Sequence, residues 1–338
     1  MHLKKHILPI VASLICIILL MLYPEVAVKG ASIGIDQCVR IIIPSLFPYF
    51  FLCTYMNTWL LGLPVPVVRF LAKFLKIPKG GESILLLGLI SGYPVGAQTI
   101  SSAYQNGLLS RQCAHILLGY CNNAGPAFIF GVTSCLFKNP YIPWLLWLVQ
   151  LLSILTTGFL LPRPTQTQIT LKSSNGITIV SALRQSIGNI ASVCGWIILF
   201  KVLISYLTIL LQDMQSTIFV LSQGFLELSN GSLELSGVNS EPLRFLLCSA
   251  FLSWGGICVL MQTQSAVNTL GLGYYIPGKL LQTSWSLLFS LAVIYLVFPD
   301  VSFSLPMIVS TILVSLSLIF IILLYFRKNY GNLLRDDI

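Results

Sequence analysis

Runs of about 20 apolar residues recur along this chain, and few folds can accommodate them. Ile7–Tyr23, Cys38–Leu61, Leu108–Leu136, Tyr141–Leu161, Ile187–Leu211, Arg244–Leu270, Leu280–Phe298 and Leu305–Phe326 each reach the length that a helix needs to cross hydrocarbon. Only 9% of residues are charged, against about 25% in soluble domains. Hydrocarbon offers the backbone no hydrogen-bond partner, so such runs must close their bonds internally as helices. The expectation is an all-α, polytopic membrane protein with about eight transmembrane helices, held in the lipid bilayer of the cell membrane.

The net charge of +9 points to orientation rather than to nucleic acid, because the basic residues fall in short loops beside the apolar runs. That distribution places both termini in the cytoplasm. His2-Leu3-Lys4-Lys5-His6 precedes the first run, which is read as a membrane helix rather than a cleaved leader. The nine cysteines contain no C-x-x-C pair, so neither a disulfide framework nor a metal site is expected. No G-x-x-x-x-G-K-[ST], H-E-x-x-H or G-x-S-x-G occurs. The chain is therefore read as a non-enzyme without a cofactor.

Several runs carry breaks. Ser91-Gly92-Tyr93-Pro94-Val95-Gly96-Ala97-Gln98 interrupts Gly81–Gly107, and two glycines with a proline cannot continue a helix at low cost. It is either a tight loop at the membrane surface or a break that lines a wet cavity. Since each half is too short to span, Gly81–Gly107 is read as a re-entrant hairpin. Asn122-Asn123-Ala124-Gly125-Pro126 breaks the run at 108–136, and Ser253-Trp254-Gly255-Gly256 breaks that at 244–270. A second hairpin has its tip at Ser222–Gly231. Pro44 and Pro48 should kink the second span. Pro64–Ile77, with Arg69, Lys73 and Lys76 at helical spacing, reads as an interfacial amphipathic helix.

These breaks repeat. Asn122 follows Gly92 by 30 positions, and Trp254 follows Gly224 by 30. Each half reads as a span, a broken hairpin and a broken span, and the topology inverts the second relative to the first. The chain then divides into an N-terminal helix and outside loop (1–37), a first repeat with its following span (38–161), a flexible cytoplasmic linker (162–176) and a second repeat with C-terminal spans (177–338).

Glu227 is the leading candidate for chemistry, since an ionisable group in a membrane core is costly and usually functional. At a hairpin tip it can accept hydrogen bonds from a polar solute or exchange a proton. The competing reading makes 222–241 an outside loop, in company with Glu234 and Glu241. Asn122 and Asn123 offer amide groups at mid-span, either to a solute or to neighbouring helices. Gly92, Tyr93, Pro94, Gln98, Thr99 and Gly125 belong to the first-half breaks, and Asn230, Gly255 and Gly256 to the second. The glycines equally serve close packing, and Asn230-Gly231 equally serves a turn. Gln262 and Gln264 lie either in the cavity or near the interface. The basic residues, Lys279 included, are read as topological anchors.

Pro44-Ser45-Leu46-Phe47-Pro48, the 91–97 break, Asn122-Asn123-Ala124-Gly125-Pro126-Ala127-Phe128 and Gly224-Phe225-Leu226-Glu227 together resemble the YlbJ family of sporulation integral membrane proteins. That family carries the Gate, or nucleoside-recognition, domain and is associated with formation of the spore cortex. The resemblance implies a sporulation-associated protein whose core is similar to that of concentrative nucleoside transporters. Those proteins bind solute between two re-entrant hairpins and two partly unwound helices. Carried over by position, the hairpins are Gly92–Thr99 and Gly224–Asn230, the unwound stretches are Asn122–Gly125 and Trp254–Gly256, and Glu227 matches the carboxylate of the second hairpin. The first hairpin lacks an acid. The expected function is passage of a small polar solute; the alternative is a non-transporting scaffold or gate. Beyond the bilayer, the implied partners are that solute, a second copy of the chain or other sporulation membrane proteins.

Overall fold

The computed structural model describes residues 2–60, 63–169, 177–210, 216–298 and 305–333. Among them there is no β-strand beyond one isolated bridge between Lys79 and Gln168. Helix α1 is His2–Leu22 and α2 is Pro24–Gln37, which runs through a π-helical turn at Cys38–Ile42 into α3, Ile43–Leu60. Residues 24–37, expected as an outside loop, are thus helical. Pro24 and Glu25 occupy the first turn of α2, where a missing N–H and a negative charge are both favourable. The wide turn directly precedes Pro44, whose ring cannot follow a regular helical turn.

A 3₁₀ turn at Pro66–Val68 leads to α4, Arg69–Phe74, a shorter helix than the 64–77 periodicity predicts. Next come α5, Glu82–Ile90, and α6, Val95–Gln105, packed on each other as the first hairpin. Helix α7, Arg111–Leu118, is capped by Ser110 Oγ, which accepts from Cys113 N at 3.2 Å. The chain then unwinds until α8, Pro126–Phe128, which continues through π and 3₁₀ turns to Leu136. Helix α9 is Ile142–Leu160.

After α9 the described part of the linker is not loose. Gln166 Nε2 donates to Leu108 O at 2.8 Å and its Oε1 accepts from Ser110 N at 2.8 Å, while Ile169 is buried. The linker's remainder, 170–176, lies outside the described residues. Helix α10 is Ile179–Leu210. The second hairpin is α11, Ser216–Leu226, and α12, Leu228–Glu234, with Glu227 between them. Then follow α13, Glu241–Trp254; α14, Gly256–Val267; α15, Tyr275–Val297; and α16, Leu305–Leu333.

Six helical stretches among the described residues are long and apolar enough to cross a membrane: Pro24–Asn57, Ile142–Leu160, Ile179–Ile209, Glu241–Leu270, Tyr275–Val297 and Ile308–Phe326. Two shorter apolar helices, Ser13–Leu22 and Pro126–Leu136, stand where the other two runs fall. Leu313, Phe320 and Ile321 of α16 are among many large apolar side chains left exposed. Such a surface is costly in water and at home against lipid.

Helix α2 packs along α10. The contact uses Gly30 and Gly34, spaced four apart on one face. A methyl group on Gly30 would lie 2.6 Å from Ser205 Oγ, and one on Gly34 3.1 Å from Ile198 Cα. Small residues at this spacing let two backbones approach without a hydrophobic driving force. Two apolar clusters fill the interior. Tyr93, Val95 and Ala124 belong to the first, whereas Ala97, Tyr120 and Cys121 belong to the second. The first-half breaks therefore lie on the seam between them.

Candidate functional site

The order helix, broken hairpin, broken helix occurs twice: α3, α5–α6 and α7–α8, then α10, α11–α12 and α13–α14. At the first break Gly92 takes φ +76°, a conformation that side chains resist. A methyl group there would lie 3.0 Å from Gly125 N, so the hairpin tip rests directly on the unwound segment of the next helix. Gly255 and Gly256 take φ +82° and +85° in succession, which ends α13 and re-aims α14. A methyl on Gly256 would lie 2.9 Å from Leu226 O, and one on Gly255 3.1 Å from Tyr93 Oη. The four breaks thus form one chain of contacts, from the 122–125 segment through the first hairpin tip and Gly255–Gly256 to the second hairpin.

Three of the breaks line a cavity of about 30 Å³, with Gly92, Tyr93, Gly125, Glu227 and Ser229 in its wall together with Gln262 of α14, and the fourth, at Gly255 and Gly256, packs against Tyr93 and Glu227. Leu46 and Phe50 of α3 and Val193 and Ile197 of α10 wall it. A void needs about 10–15 Å³ on this measure to hold one water, so this one admits roughly two. Glu227 is 1% exposed. Its carboxylate accepts from Ser229 N at 2.9 Å and Asn230 N at 2.6 Å, capping α12. The competing reading of 222–241 as an outside loop does not fit, because Gln223, Glu227, Ser229 and Asn230 are all buried.

The remaining predicted residues surround the cavity instead of lining it. Asn122 Oδ1 accepts from Ala97 N at 3.1 Å, and its Nδ2 donates to Thr263 Oγ1 at 2.9 Å, binding hairpin, unwound segment and α14 together. Gln98 and Asn189 exchange two amide hydrogen bonds of 2.9 and 3.1 Å, joining α6 to α10. Thr99 turns back on Val95 O at 2.9 Å. Pro94 sits in the tip after a cis peptide bond with Tyr93, and Asn230 is fully buried beside Glu227. Gln262 lines the cavity, whereas Gln264 is exposed.

One residue that sequence reading assigned to anchoring belongs to the core. Lys279 is 1% exposed. Its ammonium donates to Tyr93 Oη at 3.1 Å, Asn123 Oδ1 at 2.8 Å and Gln282 Oε1 at 2.8 Å. The Tyr93 and Tyr275 rings lie 5.0 and 5.6 Å from it, within cation–π range. Helix α15 begins at Tyr275, earlier than its apolar run, and Gly278 packs on the Gly119 backbone. That close approach brings the next residue inward. A signal was present: Lys279, Gln282, Ser286 and Ser290 follow helical spacing as a polar stripe within an apolar span, and all four are buried.

Fold and site define a class: a polytopic α-helical integral membrane protein whose helices break around a common buried polar centre. Over 145 residues the chain is 28% identical to the sporulation integral membrane protein YlbJ of Bacillus subtilis (strain 168). The match takes in 40% of this chain and 34% of that relative, about a third of its length. No family model matches the chain, and no solved structure matches it.

Proposed function

We propose that this protein passes a small polar solute across the membrane by alternating access, at the point where the four helix breaks meet. The observation that carries this reading is the convergence of breaks from both halves on one cavity bearing a buried carboxylate. Irregular backbone is tolerated at membrane depth where it is buried or lines a path, and paired broken elements around a central site are how many secondary transporters are built. In this reading the two units are inverted repeats, both termini are cytoplasmic, and the cavity is the closed stage between openings. Glu227 takes a hydroxyl or amine of the solute, or exchanges a proton with it. No chemical conversion of the solute is part of the proposal. The similarity to YlbJ supports a role in sporulation.

A second reading rests on the cavity's size. About 30 Å³ holds no nucleoside, and the breaks are cross-linked to one another by Asn122 and Lys279. A fixed scaffold for other sporulation membrane proteins would look the same. Thermal unfolding of the purified protein against nucleosides and small polar metabolites, with Glu227→Gln in parallel, separates the two. A ligand at about 100 times its Kd adds about 2.7 kcal/mol. A shift that needs Glu227 supports passage. No shift across the panel, together with normal sporulation of the Glu227→Gln strain at normal protein abundance, overturns it.

A further inference from the structure

Lys279 is buried with its ammonium ringed by oxygen acceptors. Its three donors meet three neutral oxygens, from a phenol, an asparagine amide and a glutamine amide, each on a different segment of the backbone or a different turn. Among the described residues no Asp or Glu forms an ion pair with it. Gln282 turns its oxygen to the ammonium while its Nε2 is buried without a partner, so the positive charge dictates which way that amide faces.

We propose that Lys279 is a tethered cation: its ammonium fills, from within the chain, a cation site formed by Tyr93, Asn123 and Gln282 where the first hairpin meets the unwound helix. Its charge holds the two breaks together, as a bound alkali or ammonium ion would. The protein therefore needs no free alkali cation to close this junction. The inference is independent of solute passage, since it concerns what the junction binds and not what crosses it. It predicts that removing the side chain opens a vacancy for a small cation.

The test uses the full chain, purified, at constant ionic strength in sodium, potassium or choline chloride, with Tm as the readout. Wild type should show the same Tm in all three salts. Lys279→Ala should lose Tm in choline and regain it, saturably, with sodium or ethylammonium. Lys279→Met, which fills the space without charge, should be destabilised and regain nothing. A sodium-specific rise in wild-type Tm overturns the proposal by showing that the site is not already filled. So does a folded Lys279→Ala that no cation restores, or a Lys279→Met as stable as wild type. The wild-type measurement stands even if neither variant folds.

Discussion

The crossing of α11 and α12 allows a sharp stability prediction at Gly231. An added methyl group would lie 2.5 Å from Gly224 N and closer still to Gly224 Cα. Both obstacles are backbone, so no side chain can swing aside; the hairpin must open. Overpacking of this kind costs about 1–3 kcal/mol, and more where two helices must separate. Gly188 and Gly195, exposed within α10, have nothing within 4 Å of the same methyl group. There Gly→Ala should instead gain about 0.5–1 kcal/mol from helix propensity. The two kinds of alanine should therefore differ by about 1.5–4 kcal/mol, at about 2–4 °C of Tm per kcal/mol. The protein supplies its own assay. All nine cysteines are free and seven are buried, so a fluorogenic maleimide reports unfolding as they become exposed. Gly231→Ala with a Tm at or above that of Gly188→Ala would refute the close crossing and, with it, the burial of Glu227.

Further predictions test the connections around the site. Asn122→Ala leaves Ala97 N and Thr263 Oγ1 without their partner and should lower stability by about 1–3 kcal/mol, read by the same melts. A double-mutant cycle on Gln98 and Asn189 should return a coupling of about 0.5–3 kcal/mol, and additivity of the two single changes would show that α6 and α10 are apart. Gly30→Leu should strip α2 from α10 and expose Cys38 to maleimide before global unfolding; labelling at the wild-type rate would count against that packing.

The membrane class was legible because hydrophobic length is a one-dimensional property. The breaks were legible because Gly and Pro act locally, and their recurrence at equal spacing survives without any contact information. Three features were hidden for a different reason each. Residues 24–37 carry charge at Glu25, Lys29 and Asp36 and look like a loop; their helix is stabilised by tertiary packing through Gly30 and Gly34. Lys279 adjoins an apolar run and so looks like an anchor, until the helix start at Tyr275 turns it inward. Gln98, Thr99 and Asn122 carry the polar groups expected of a binding site, yet the structure pairs them with other protein groups: Asn189, Val95 O, and Ala97 N with Thr263 Oγ1. Polarity in the sequence marks where hydrogen bonds must be made; it does not say with whom.

The size of the central cavity has a kinetic consequence. In the passage proposed above, anything larger than about two waters exceeds this cavity, so its capture waits for hairpins and unwound helices to part. Binding followed in time should then accelerate with concentration only at first. Beyond that it should level off at the opening rate, which belongs to the protein and is the same for every solute. The apparent affinity of each is weakened by the fraction of time the protein spends open. Substitutions that loosen the breaks without touching the cavity should raise that plateau for all solutes alike, whereas changes at Glu227 should alter which solutes stay once inside.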